Sequence, residues 1–224
     1  MSKISRAVLA TGGIDSTVLL YYLKNKYPED ALIALTVDYG HVAFAKQHEL
    51  LTLHCRRLGI VLRTITMHLR NYQKRDGLFT EGYKPNENDP LGDWNTRRYA
   101  DFFIEGRNML MVTQALAFCS SFDVDELHAG YLYSEEEWKN RHTVKLLTGD
   151  NSPQFVDAIN VLAQMGFSYP VRFRAPYYEK RMDKATVIAL GKKLCVDLQS
   201  TYSCYFVPEC GVCDNCLLRK EFLK

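Results

Sequence analysis

The amino-acid sequence predicts an α/β protein: a Rossmann-like parallel sheet with helices on both faces and a small cysteine-rich motif at the C-terminal end. Three observations predict this. Short apolar, β-leaning runs alternate with stretches of helical periodicity along the 224 residues, and such alternation makes a parallel sheet covered on both sides. A Gly-Gly turn joins the first strand to the first helix. Four of the seven cysteines fall after residue 203.

The elements follow in order. Residues 7–10, Ala-Val-Leu-Ala, read as a short buried strand, and the turn after it leads into a helix over 16–26, with Val18 and Tyr22, and Leu19 and Leu23, spaced i, i+4. Residues 31–37 form a second apolar run. Residues 47–58 have helical periodicity and Gly59 suits the C-cap. Val, Thr and Ile mark 61–67 as a third strand. Residues 77–100 are rich in Gly, Pro, Asn and Asp and lose all periodicity, which leaves them open between a lid and disordered surface. A helix over 108–120, a fourth strand over 126–132 and a helix over 153–165 come next. Ser152 is the N-cap of that last helix, with Pro at its first position. A fifth strand over 171–175 precedes a helix over 183–194 capped by Asp183. In this architecture ligands sit beyond the carboxyl ends of the strands.

Composition narrows the function. Hydrophobic residues make up 47% and charged residues 24%, which suits a packed core rather than a disordered chain. The net charge is +2, low for a dedicated nucleic-acid binder. No run reaches the ~18 apolar residues that span a bilayer, and the first residues lack the layout of a signal peptide. A cytoplasmic protein without membrane attachment is expected. Cys55, Cys119 and Cys195 sit in apolar helical contexts and are expected to be small core residues.

Four groups of residues carry chemistry. The first is Ala10-Thr11-Gly12-Gly13-Ile14-Asp15-Ser16-Thr17. Paired glycines let backbone N–H groups approach an anion. The helix N-terminus adds positive dipole, and the hydroxyls of Thr11, Ser16 and Thr17 can donate to phosphate oxygens. Asp15 would repel a phosphate unless a cation, most naturally Mg²⁺, stands between them. The second is Asp38-Tyr39-Gly40 at the end of the second strand, where an acidic residue can meet a nucleoside, although the tripeptide is also a common turn. The third is Gly106-Arg107-Asn108 at a helix start. Arg107 offers a planar fork to a phosphate or is a surface residue of a Gly-initiated helix. The fourth is Cys204, Cys210, Cys213 and Cys216, which suit a closed tetrahedral Zn²⁺ site or two redox pairs.

These marks, in this order, resemble the 7-cyano-7-deazaguanine synthase (QueC) family of PP-loop ATP pyrophosphatases. The likeness runs over nearly the whole chain and is clearest in the glycine loop and around Thr201-Tyr202-Ser203-Cys204-Tyr205. It implies an adenine nucleotide alpha hydrolase-like fold, with residues 1–200 as the nucleotide-binding domain and 201–224 as a zinc motif packed on it. It implies ATP, Mg²⁺ and Zn²⁺, and conversion of 7-carboxy-7-deazaguanine through an adenylate and an amide to the nitrile. Carried over residue by residue, Ala10, Thr11, Gly12, Gly13, Asp15, Ser16 and Thr17 hold the phosphates, Asp38 and Gly40 lie near the nucleoside, Arg107 faces the adenylate and Lys184 sits close by.

The chain departs from the family pattern in places. Thr11 replaces the usual Ser, and Glu105 stands where Pro is usual. Residues 131–151 replace a stretch like D-x-S-G-Y-P-D-C-R. Adenylation is therefore expected to be retained. The acceptor stays open between ammonia and a protein or peptide amine, with a tRNA-modifying or non-catalytic PP-loop protein as the further alternative. Assembly is open between monomer and homodimer.

Overall fold

The computed structural model describes residues 4–72, 77–83, 104, 106–133 and 152–223. The strands are β1 (Ser5–Leu9), β2 (Ala31–Asp38), β3 (Val61–Thr66), β4 (Glu126–Ala129) and β5 (Arg172–Arg174). They lie in the order β3-β2-β1-β4-β5, and every neighbouring pair is parallel. The α-helices are α1 (Ile14–Lys26), α2 (Phe44–Leu58), α3 (Arg107–Ser121), α4 (Pro153–Gly166), α5 (Pro176–Glu179), α6 (Lys184–Lys193) and α7 (Asp214–Phe222).

β1 is the centre because both of its faces are apolar. Ala7 and Leu9 join a core with α3 and α4, while Val8 and Ala10 join a second core with α1, α2 and α6. Helices thus cover both faces, as the alternating pattern requires. Leu9 lies level with Leu35 of β2 and with Ala129 of β4. After β1 the chain pairs β2 and β3 on one side, then crosses to β4 on the other. That reversal opens a crevice outside the carboxyl ends of β1, β2 and β4.

The caps form as the sequence predicts. Ser152 Oγ accepts from the Phe155 N–H at 3.2 Å, Asp183 Oδ1 accepts from the Thr186 N–H at 2.8 Å, and Gly59 is left-handed with φ 63°. Other boundaries differ. α2 begins at Phe44 rather than at 47, because the Gln47 N–H already donates to the Ala43 carbonyl at 3.0 Å and closes the first turn. β4 stops at Ala129 rather than at 132. There the chain crosses α1 so closely that a Cβ on Gly130 would lie 3.2 Å from the Asp15 carbonyl carbon. Cys195 is exposed rather than in the core. Residues 84–100, Glu105 and most of the departing segment (134–151) lie outside the described residues. Among the described residues no helix is long and apolar enough to cross a membrane.

Charged residues also enter the sheet. Arg6 and Glu126 are register neighbours on β1 and β4. Glu126 accepts from Arg6 Nε at 2.9 Å, Arg174 Nη1 at 3.2 Å and His128 Nε2 at 3.1 Å. Arg6 also pairs with Asp30, and Arg174 with Glu179 at 2.6 Å. Burial opposes ionisation of Glu126, but the His128 and Arg174 hydrogen bonds and the Arg6 charge outweigh it and hold the carboxyl at about 2. Removing one member of such a buried cluster typically costs on the order of 3–5 kcal/mol.

Candidate active site

The crevice is built from the loop between β1 and α1. The Ala10 N–H donates to the Leu35 carbonyl at 2.7 Å, so the loop leaves the sheet fully paired. Gly12 then turns with φ 79°, and a Cβ there would lie 2.5 Å from the Gln47 carbonyl oxygen. Only glycine satisfies both conditions. Ser16 Oγ accepts from the Thr11 N–H at 3.1 Å, which ties the loop to the first turn of α1.

The C-terminal segment closes the loop from behind. The Tyr202 N–H donates to the Gly12 carbonyl at 2.9 Å, and the Ile14 N–H donates to Ser203 Oγ at 3.4 Å. Two cavities flank the loop. One, about 210 Å³, lies toward β2 and is walled in part by Val37, Tyr39, His41, Arg107 and Ser203. The other, about 150 Å³, lies toward β4 and reaches Ala129, Gly130 and Tyr131. Thr11, Gly13, Asp15, Asn108 and Met111 line both.

The structure brings most of the sequence-predicted residues to this place. Thr11, Gly13, Asp15 and Ser16 face the cavities, while Ala10 and Gly12 shape the loop beneath them. Thr17 differs: it is wholly buried, its hydroxyl has no partner, and it lines neither cavity. Asp38 and Gly40 form a turn, Asp38 Oδ1 accepting from the Gly40 N–H at 2.9 Å, and the wall is made by their neighbours Tyr39 and His41. Lys184 Nζ donates to both Asp15 carboxylate oxygens, at 2.7 and 2.8 Å. This contact brings together residues 169 positions apart.

Arg107 opens α3 after a left-handed Gly106. Its guanidinium carbon lies 6.0 Å from the Tyr39 ring centroid and 5.5 Å from that of Tyr205. Burial works against its charge, but the two tyrosines uphold it. Its Nη1 is buried without a partner. Sequence reasoning placed Tyr39 only as part of the Asp38-Tyr39-Gly40 group, and Ser203 only through the Thr201–Tyr205 stretch; it missed His41 and Gln47 as members of the site.

The sulfurs of Cys204, Cys210, Cys213 and Cys216 lie within 4.8 Å of one another. Backbone N–H groups of Phe206 and Cys210 point at Cys204 Sγ, each at 3.4 Å. The Cys213 and Cys216 thiols also face this sulfur, so Cys204 ionises far more readily than an ordinary cysteine. Four convergent soft donors with N–H support suit a metal ion. Cys55 and Cys119 are different: burial pushes their thiols up to about 11 and about 12.

A parallel sheet in this order, with a Gly-Gly-x-Asp-Ser loop at its switch point, defines a nucleotide-binding α/β protein of the PP-loop class. The family model described as Queuosine biosynthesis protein QueC matches residues 6–224, and the chain belongs to that family. The 7-cyano-7-deazaguanine synthase of Desulforudis audaxviator is 29% identical over 217 residues, 93% of this chain and 91% of that protein. That of Methanobrevibacter smithii is 24% identical over 230 residues, 100% of this chain and 94% of that protein. A solved structure, the U34-tRNA thiolase NcsA from Methanococcus maripaludis with its 4Fe-4S cluster, is similar with a TM-score of 0.57 at 15% identity. The match covers 99% of this chain and 65% of that one, and it is a likeness of fold.

Proposed function

We propose that the chain is an ATP-dependent ligase that adenylates the carboxylate of 7-carboxy-7-deazaguanine and joins it to ammonia, giving the amide and then the nitrile. One observation carries this reading: two cavities meet at a glycine phosphate loop and share Thr11, Gly13, Asp15, Asn108 and Met111 as a common wall. The cavity toward β2 takes the nucleoside, and the cavity toward β4 takes the deazapurine. The α-phosphorus then lies at the shared wall, beside the carboxylate that attacks it.

The residues divide the work. Loop N–H groups and the hydroxyls of Thr11 and Ser16 hold the leaving pyrophosphate. Asp15 would hold Mg²⁺ through the carboxylate that Lys184 now occupies, and the ion would offset charge on the phosphate oxygens. Lys184, now paired with Asp15, supplies a second positive charge to the pyrophosphate, and Arg107 presents its open Nη1 to the adenylate. A carboxylate oxygen bonds to the α-phosphorus as the bond to pyrophosphate breaks. Ammonia then attacks the acyl carbon, AMP leaves and a proton goes to solvent. The amide oxygen then bonds to the α-phosphorus of a second ATP as pyrophosphate leaves, and the nitrile forms as the C–O bond breaks, AMP departs and two N–H protons go to solvent.

We assign Zn²⁺ to the four cysteines and treat residues 201–224 as a motif packed on the domain of residues 1–200. A tetrahedron with Zn–S of about 2.3 Å has edges of about 3.8 Å; three S···S separations of 3.6, 3.9 and 4.0 Å, with all four sulfurs within 4.8 Å of one another, support a single-ion site. An iron–sulfur cube, which sets each thiolate on its own iron, needs wider spacing. A closed four-thiolate ion holds the segment that backs the loop and takes no part in the chemistry. The departing segment that raised a protein or peptide acceptor lies mostly outside the described residues, and nothing described favours that acceptor over a small molecule.

The test is isotope exchange between pyrophosphate and ATP. Exchange should require 7-carboxy-7-deazaguanine but not ammonia. Exchange that ignores the carboxylate, or none at all, would remove adenylation.

A further inference from the structure

The wall of the cavity toward β2 contains a hydrogen-bond chain whose polarity is fixed at one end. The Cys204 backbone carbonyl can only accept, so the Gln47 atom 3.3 Å from it is the amide nitrogen. The Gln47 oxygen is then the atom facing His41 Nε2 at 3.0 Å, and Nε2 must carry the hydrogen. His41 is 6% exposed. Burial, aided by the Arg107 charge and opposed by the Gln47 hydrogen bond, pushes its pKa down to about 4. The ring is neutral near pH 7, and its Nδ1 is a bare lone pair.

That lone pair is buried and has no partner. The ring is held flat against Tyr39, with centroids 4.1 Å apart and planes 11° apart, and it forms part of the cavity wall. A chain that fixes one nitrogen as donor and leaves the other as an unmet acceptor asks for a ligand that donates. Phosphates at neutral pH only accept. The donors of ATP are on the nucleoside: the 6-amino group of adenine and the ribose hydroxyls.

We infer that His41 Nδ1 accepts a hydrogen bond from the nucleoside half of ATP, making His41 a nucleotide-specificity residue. This rests on reading the cavity as the nucleoside site. The neighbouring Arg107 Nη1 is a donor and stays assigned to the phosphate side. The Cys204 carbonyl anchors the chain, so the cysteine motif also sets the His41 tautomer.

The experiment compares wild type with His41→Asn, His41→Gln and His41→Ala. Asn places its carboxamide near the Nδ1 position, and Gln places it near Nε2. Each protein is assayed with ATP, purine riboside triphosphate, 2′-deoxy-ATP and 3′-deoxy-ATP for nucleotide affinity and pyrophosphate release. Wild type should lose about tenfold in affinity on one analogue, a typical size for one neutral hydrogen bond, and that analogue names the donor. His41→Ala and His41→Gln should weaken ATP by about the same factor and should not discriminate against that analogue. His41→Asn should keep most of the discrimination. Unchanged analogue ratios in His41→Ala, with wild type active on ATP, overturn the inference alone. A wild type that neither binds ATP nor releases pyrophosphate overturns the underlying reading as well. Melting temperature checks each fold; should His41→Ala fail to fold, the Asn and Gln variants decide.

Discussion

Two polar regions at the sheet are built in opposite ways. Around Glu126 every charge meets an opposite one: Arg6 faces Asp30 and Glu126, and Arg174 faces Glu126 and Glu179. Around the phosphate loop, Arg107 Nη1 and His41 Nδ1 are buried and unmet. His128 Nδ1 is also unmet in the first region, but neither loop cavity reaches it. Desolvating a polar group without a partner is destabilising, so a closed cluster avoids that cost and an open one is retained where a ligand completes it. Burial alone does not separate the two. The separation comes from open hydrogen-bonding capacity beside a cavity.

The largest expected effect breaks the open region. Asp15→Asn keeps the shape but removes the charge that we assign to Mg²⁺ and that now holds Lys184. AMP and pyrophosphate formation should fall by about 10²–10³ or more, with the melting temperature near that of wild type. Wild-type-like turnover would take Asp15 out of the mechanism.

The cysteine motif should fall between the regions, because it is structural yet touches the loop through Tyr202 and Ser203. Metal analysis should find about one Zn²⁺ per chain. Cys213→Ser should lose the metal and lower solubility and melting temperature more than it lowers any surviving chemistry. A metal-free protein of ordinary stability would contradict the assignment.

The smallest effect on activity should come from the closed region. Glu126→Gln should cost about 3 kcal/mol in stability, near the lower end for a broken buried pair, since Arg6 keeps Asp30 and Arg174 keeps Glu179. ATP affinity should not change. The pH dependence sharpens this. Glu126 sits at about 2 when folded, below the ordinary 4.5, so its contribution is complete above about 4.5 and fades as pH falls toward 2. His41, near 4 when folded against an ordinary 6.5, adds an earlier loss as pH falls from about 6.5 to 4. In acid titrations of unfolding, Glu126→Gln should shrink the lower step, to which Glu179, Asp183 and Asp197 also contribute because they too are held below their ordinary values. It should change the upper loss only through His128, which loses its carboxylate partner. An unchanged lower step would assign it to other carboxylates.

Much of the fold was legible because its signals are local. The Gly-Gly loop, the Ser152 and Asp183 caps and the Gly59 C-cap are written within a few residues of where they act. The cysteine spacing is local too, although α7, which carries Cys216, was not read as a helix because 214–222 is mostly polar. The site was legible only where its residues are contiguous. Family likeness alone put Lys184 near the site, and its pairing with Asp15 across 169 positions carried no signal in the sequence. His41 and Gln47 had no signal at all, since their meaning depends on a carbonyl 157 residues beyond Gln47. Thr17 was misplaced for a related reason. Its neighbours in the loop face outward, but one turn of α1 carries it into the core.

The most direct test of the central claim is product analysis. The protein is incubated with ATP, Mg²⁺ and 7-carboxy-7-deazaguanine, with and without ammonia, and the mass of both small molecules and protein is followed. The account predicts AMP and pyrophosphate with the carboxylate present, and the amide followed by 7-cyano-7-deazaguanine when ammonia is added, with no change in protein mass. ATP left intact under all conditions, or a deazaguanine-sized increase in protein mass in place of small-molecule product, would contradict it.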